Sequence, residues 1–88
     1  MKTLQIKVIG KVQGVGFRFY AQKRAKEFNI LGFVKNMPDG SVYIEAEGDD
    51  SDMNTYVSWC ERGPAWSRVQ ETRKSEIPFC DFKTFEIR

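Results

Sequence analysis

The spacing of apolar residues changes period several times along this chain, and that alternation limits the available folds more than any other feature. Leu4, Ile6 and Val8 alternate with Gln5, Lys7 and Ile9, which predicts a strand over residues 3–12. Gly10 predicts a bulge or a close backbone approach near its end. After the loop Gln13-Gly14-Val15-Gly16, helical spacing begins at Phe17 and continues through Tyr20 or Ala21 and Ala25 to Phe28. Asn29 is positioned to cap that helix in the left-handed conformation. Residues 31–36 predict a second strand, Pro38-Asp39-Gly40 a turn, and Val42, Ile44 and Ala46 a third strand completing a hairpin. Asp49, Asp50 and Ser51 offer N-caps for a helix over 52–62 that carries Met53, Tyr56, Val57 and Cys60 on one side. Gly63-Pro64 stops it. A fourth strand is expected over 67–75, and Phe82, Phe85 and Ile87 mark a terminal one beyond Pro78. The order is βαββαβ, with a short extra strand possible at the end. It predicts a ferredoxin-like α+β sandwich, an antiparallel sheet with two helices on one face.

Eighty-eight residues suit one domain, 1–88, with no repeat or linker inside it. Fourteen basic residues against twelve acidic ones leave a net charge of +2, which argues against a dedicated nucleic-acid binder. No apolar run approaches the roughly 18 residues that would cross a bilayer. The alternation starting at Leu4 comes too early for a secretory signal. A cytoplasmic protein without membrane or nucleic-acid partners is therefore expected, and a monomer.

Cys60 and Cys80 lack metal-binding spacing, and the chain contains no histidine. No metal site is expected, and free thiols suit a reducing cytosol. The missing imidazole also excludes Ser-His-Asp and Cys-His chemistry.

One segment remains chemically suggestive. Gln13, Gly14, Val15, Gly16 and Phe17 lie between a strand and a helix start, where glycines let successive backbone N–H groups converge on an anion. The helix end adds free donors and partial positive charge. Arg18, in the first turn, brings a planar fork of donors to the same place. By pattern alone, an ordinary βα turn with a solvated arginine is the favoured reading of these residues. The segment has neither the third glycine of a dinucleotide fingerprint nor the Lys-Ser/Thr of a P-loop. Asn36 is a second candidate, at the end of the second strand. It reads either as a turn residue bonding its own backbone or as a neutral amide that aims a water molecule. In a ferredoxin-like sheet its strand end can reach the first loop.

The run Gly10-Lys11-Val12-Gln13-Gly14-Val15-Gly16-Phe17-Arg18 resembles the acylphosphatase signature G-x-V-Q-G-V-x-F-R. The run Gly32-Phe33-Val34-Lys35-Asn36-Met37-Pro38-Asp39-Gly40-Ser41-Val42 resembles the family's second signature. Gly48, Gly63-Pro64 and Arg68-Val69 fit its later pattern, so the resemblance spans nearly the whole chain. It implies a ferredoxin-like fold and hydrolysis of a small-molecule acyl phosphate without metal or cofactor. It implies that Arg18 is the phosphate-binding catalytic arginine and that Asn36 is the catalytic residue holding the nucleophilic water. It also implies that residues 13–17 bind phosphate through backbone N–H groups. Ala21, Asn29 and Ser67 depart from the commonest family residues, and Ala21 lacks a hydroxyl that many members place there.

The chemistry is consistent with so sparse a residue set. A carboxylate leaving group, whose conjugate acid has a pKa of about 4, departs without a general acid. Two other readings carry less weight. An RNA-recognition module shares the element order, but Tyr43, Glu45 and Glu47 on its third strand would set two carboxylates against a phosphate backbone. A silent, partner-binding relative would not need Arg18 and Asn36. The span from Met1 to a final strand suggests a free-standing enzyme. Phe17, Phe19, Tyr20, Phe28 and Phe33 are expected in the core, and Trp59 and Trp66 over the sheet edge.

Overall fold

The computed structural model describes all residues, 1–88. The first strand, β1 (Lys2–Lys11), realises the alternation of its sequence: Leu4, Ile6 and Val8 are buried on one face, with Gln5 and Lys7 on the other. Strand β2 (Leu31–Asn36), strand β3 (Val42–Gly48) and strand β4 (Arg68–Ile77) join it in antiparallel pairs. Helix α1 (Phe17–Glu27) follows β1 and helix α2 (Asp50–Arg62) follows β3. Both pack on the Leu4-Ile6-Val8 face, where Ala21, Ala25, Met53, Tyr56 and Cys60 meet Val34, Val42, Ile44 and Ala46 in one core.

The short strand β5 (Phe85–Ile87) completes the order β4-β1-β3-β2-β5. It runs parallel to β2, so the sheet is mixed at this edge and antiparallel elsewhere. The reason lies in the connector 78–84, which joins strands at opposite edges and crosses the helix-free face. It is anchored there by Glu47, which is 1% exposed on β3. The Glu47 carboxylate accepts hydrogen bonds from the backbone N–H groups of Cys80 (2.8 Å), Asp81 (3.2 Å) and Phe82 (2.7 Å), and from the Thr3 hydroxyl. Phe82 then packs edge-on against Phe33. Glu47 was expected on an open face; the connector buries it.

Gly10 is the bulge of β1. The register against β4 shifts between Ile9 and Gly10, and a Cβ at Gly10 would lie 2.1 Å from the Arg68 carbonyl oxygen. Asn29 takes the expected left-handed conformation, with φ 57°.

Some aromatics fall outside the expected core. The buried side of α1 is Phe17, Ala21 and Ala25, at four-residue intervals. Phe19 and Tyr20 lie on other sides of the helix and are exposed. Trp66 is 82% exposed and covers nothing, whereas Trp59 is buried between Phe17 and Tyr56. Phe33 is buried under Phe82, on the face away from the helices. Cys60 and Cys80 are free thiols, one buried and one exposed.

Candidate active site

Residues 13–16 join β1 to α1, and their backbone alternates in hand. Gly14 and Gly16 have φ of 73° and 78°, while neither Gln13 before them nor Val15 between them has positive φ. Alternation of this kind turns consecutive N–H groups toward one side and forms an anion-binding concavity. None of the N–H groups of residues 13–16 donates to a backbone carbonyl, and no loop carbonyl accepts from the first-turn N–H groups of Phe17, Arg18 and Phe19. No acidic side chain occupies that first turn to compete for them.

Arg18 and Asn36 line the same cleft, of about 250 Å³, together with Gly14, Gly16 and Phe17. The topology accounts for this. Strand β3 runs antiparallel to both β1 and β2, so the end of β2 and the end of β1 lie at the same end of the sheet. Arg18 is held from the opposite side of the sequence: its Nη1 donates to the main-chain oxygen of Arg88 at 3.1 Å. Arg88 in turn donates its backbone N–H to the Val34 carbonyl at 2.8 Å.

Gln13 has a second role that its place in the loop did not reveal. Its side-chain Nε2 donates to the carbonyls of Met37 (2.8 Å) and Ser41 (2.9 Å), tying the loop to the β2–β3 turn. The signal was the type of residue, a long amide with two donors, but its target is a turn more than twenty residues away.

The carboxylate of that turn, Asp39, is engaged elsewhere. It pairs with Lys7 at 2.8 Å and accepts from the hydroxyl and N–H of Ser41 at 2.6 and 2.9 Å. Lys7 first, then Ser41, holds the Asp39 carboxyl well below the usual carboxylate range. No carboxylate lines the cleft. Ala21 does not line it either; its side chain is in the core and its carbonyl accepts from the Tyr56 hydroxyl at 3.0 Å.

A larger hollow of about 400 Å³ lies on the helix-free face, lined by Gln5, Lys7, Tyr43 and Arg73 among others. Its polar groups are already partnered: Lys7 with Asp39, Arg73 with Glu71 at 2.7 Å, and Tyr43 with Glu45 at 2.6 Å. The Tyr43 phenol, desolvated and bonded to Glu45, is pushed up to about 12. The smaller cleft differs in having main-chain N–H groups without protein partners beside Arg18.

Fold and cleft together define a small α+β protein with a glycine loop of unpartnered N–H groups beside one arginine and one amide. The sequence matches the family described as Acylphosphatase over residues 4–87. The chain is 45% identical to the acylphosphatase of Leuconostoc mesenteroides, over all of this chain and 99% of that protein. It is 42% identical to that of Archaeoglobus fulgidus, over 99% of this chain and 98% of the relative. The crystal structure of acylphosphatase from Bacillus subtilis superposes with a TM-score of 0.95 at 35% identity, covering 100% of this chain and 99% of that one. The chain therefore belongs to the acylphosphatase family, hydrolases that act on the phosphorus-containing anhydride bond of acyl phosphates. The fold expected from the sequence is the fold of these relatives.

Proposed function

We propose that the cleft of Arg18 and Asn36 hydrolyses the substrate by direct, metal-independent attack of water on phosphorus. The observation that carries this is the run of unpartnered N–H groups over residues 13–17, in a loop whose Gly14, Gly16 and Phe17 line the same cleft as Arg18 and Asn36. The phosphoryl oxygens are bound by the N–H groups of Gln13, Gly14, Val15, Gly16 and Phe17 and by the Arg18 guanidinium. Phosphoryl transfer through a loose transition state spreads charge over those oxygens, so donors fixed in advance stabilise it. Asn36 accepts from and aims the water for in-line attack. As the water oxygen bonds to phosphorus, the acyl C–O–P bridge breaks at the P–O bond and the carboxylate leaves with the electron pair. The water proton passes to a phosphoryl oxygen, so no protein acid or base is needed.

Residues 1–88 act as one acylphosphatase-like unit. The nearly balanced charge, and the lack of any helix long and apolar enough to cross a membrane, support action on a small acyl phosphate without nucleic acid or membrane, and we read the protein as a monomer. The two unpaired thiols suit the cytoplasm.

The test is hydrolysis of benzoyl phosphate with EDTA present, with a phosphate monoester as control. Wild type should turn over only the acyl phosphate. Arg18→Ala and Asn36→Ala should each lose about 10²–10³-fold in rate, the usual consequence of removing a charge-stabilising donor. Full activity in either folded variant, or loss of wild-type activity to EDTA, would refute the assignment.

A further inference from the structure

The cleft has an apolar side that the phosphate chemistry does not use. Val12 and Phe17 form its buried floor, but Phe19 and Ile87 stand at its rim, 58% and 41% exposed. They come from unrelated elements, the first turn of α1 and the strand β5. Single exposed apolar residues need no explanation. Two that converge on one cleft, beside unpartnered anion donors, do.

Both are held in place. The Phe19 ring stands edge-on to Tyr20, with centroids 5.2 Å apart and planes at 85°. Tyr20 is itself seated on Gly16, where a Cβ would lie 3.6 Å from its ring. Ile87 pairs with Val34, and the next residue, Arg88, binds Arg18. The guanidinium is thus tethered beside the apolar rim.

We propose that Phe19 and Ile87 form an acyl-binding subsite that favours acyl phosphates with an apolar, above all aromatic, acyl group. This rests on the proposed placement of the phosphoryl group at residues 13–18. One bridging oxygen separates phosphorus from the acyl carbon, so a phosphoryl group in the cradle sends its acyl chain across the rim. Arg18 is the sole charged side chain lining the cleft, and the phosphoryl group engages it. A second carboxylate on the acyl chain finds no cation there, whereas a phenyl ring finds two apolar side chains. Partial burial of a ring against an open rim belongs at the low end of hydrophobic discrimination, roughly tenfold.

The experiment compares kcat/KM for benzoyl, acetyl and succinyl phosphate in wild type, Phe19→Ser and Ile87→Ser, with inorganic phosphate as competitive inhibitor. Wild type should prefer benzoyl phosphate over the other two by about tenfold, chiefly through KM. In each variant that ratio should fall toward one, while the inhibition constant of inorganic phosphate changes less than the KM for benzoyl phosphate. Circular dichroism checks the fold. A wild-type ratio near one, a ratio kept in both folded variants, or a phosphate constant rising in step with KM would overturn the subsite. A wild type that turns over none of the three would instead overturn the reading of the cleft itself, and the subsite with it.

Discussion

The side-chain nitrogen of Gln13 lies 2.8 Å from the Met37 carbonyl, and this bond sets the distance between the two halves of the site. Gln13 lies in the loop between β1 and α1, and Met37 follows Asn36 directly. The same nitrogen bonds Ser41, whose carbonyl also accepts from the Met37 N–H at 2.9 Å. The amide therefore closes a ring of bonds around the hairpin turn and ties the loop to the residue that follows Asn36.

Gln13→Ala should then lower kcat more than it weakens phosphate inhibition, because the main-chain donors stay while the water is misplaced. A shift of about 1 Å in a positioning group can cost on the order of 10²-fold. Stability should fall by about 1–3 kcal/mol for two lost hydrogen bonds. Steady-state kinetics alongside thermal unfolding separates the two effects; equal losses in kcat and phosphate affinity would show that Gln13 does not position Asn36.

The loop donors can be tested one at a time by proline. Val15→Ala keeps the N–H and Val15→Pro removes it. The proline variant should turn over about 10²–10³-fold more slowly than the alanine variant, with matching circular dichroism. Similar rates in both would remove the Val15 N–H from the cradle.

Glu47 should govern acid stability. Burial alone would raise its pKa, but the bonds from Thr3, Cys80, Phe82 and Asp81 outweigh that and leave it below the ordinary 4.5. A lowered folded-state pKa contributes stability above the unfolded value, and that contribution disappears as pH falls through the folded value. Glu47→Gln should lose about 1–3 kcal/mol near neutrality. Denaturant titrations from pH 7 to pH 3 should show the gap to wild type narrowing below about 4.5. A constant gap would mean that the charge of Glu47 contributes nothing.

The two thiols should behave differently. Cys60 is buried and desolvation drives its pKa far up, so it should not react with a thiol reagent in the native state. Cys80 is exposed but also raised, by desolvation and then by Glu45 and Glu47, so it should react slowly. Titration with a chromogenic disulfide should give one thiol per native chain and two after denaturation. Rapid modification of both would contradict the packing of α2.

Periodicity made the main elements legible. Leu4-Ile6-Val8 and Val42-Ile44-Ala46 mark the buried face of the sheet directly, because alternation reports which side of a strand is covered. Gly10 and Asn29 were legible because unusual backbone leaves few residue choices. Position 19 was not: as an aromatic it was expected in the core, yet it lies off the helical spacing, and Phe17, Ala21 and Ala25 fill the buried side. The parallel placement of β5 and the burial of Glu47 depend on a connector crossing the sheet, a long-range event with no local signature. In the cleft, the glycines and Arg18 pointed to an anion, Asn36 stood out by its place at a strand end, and the family likeness gave Arg18 and Asn36 their expected roles. The reach of Gln13 to the hairpin and the hold of Arg88 on Arg18 needed three dimensions.

That last contact joins residues seventy positions apart. Closing so long a loop costs entropy that is recovered only when the final strand docks. A nascent chain can therefore form the glycine loop and α1 early, yet its arginine stays untethered until β5 lies against β2. Competence for turnover should be among the last properties the molecule gains as it matures, arriving with the edge of the sheet rather than with its centre.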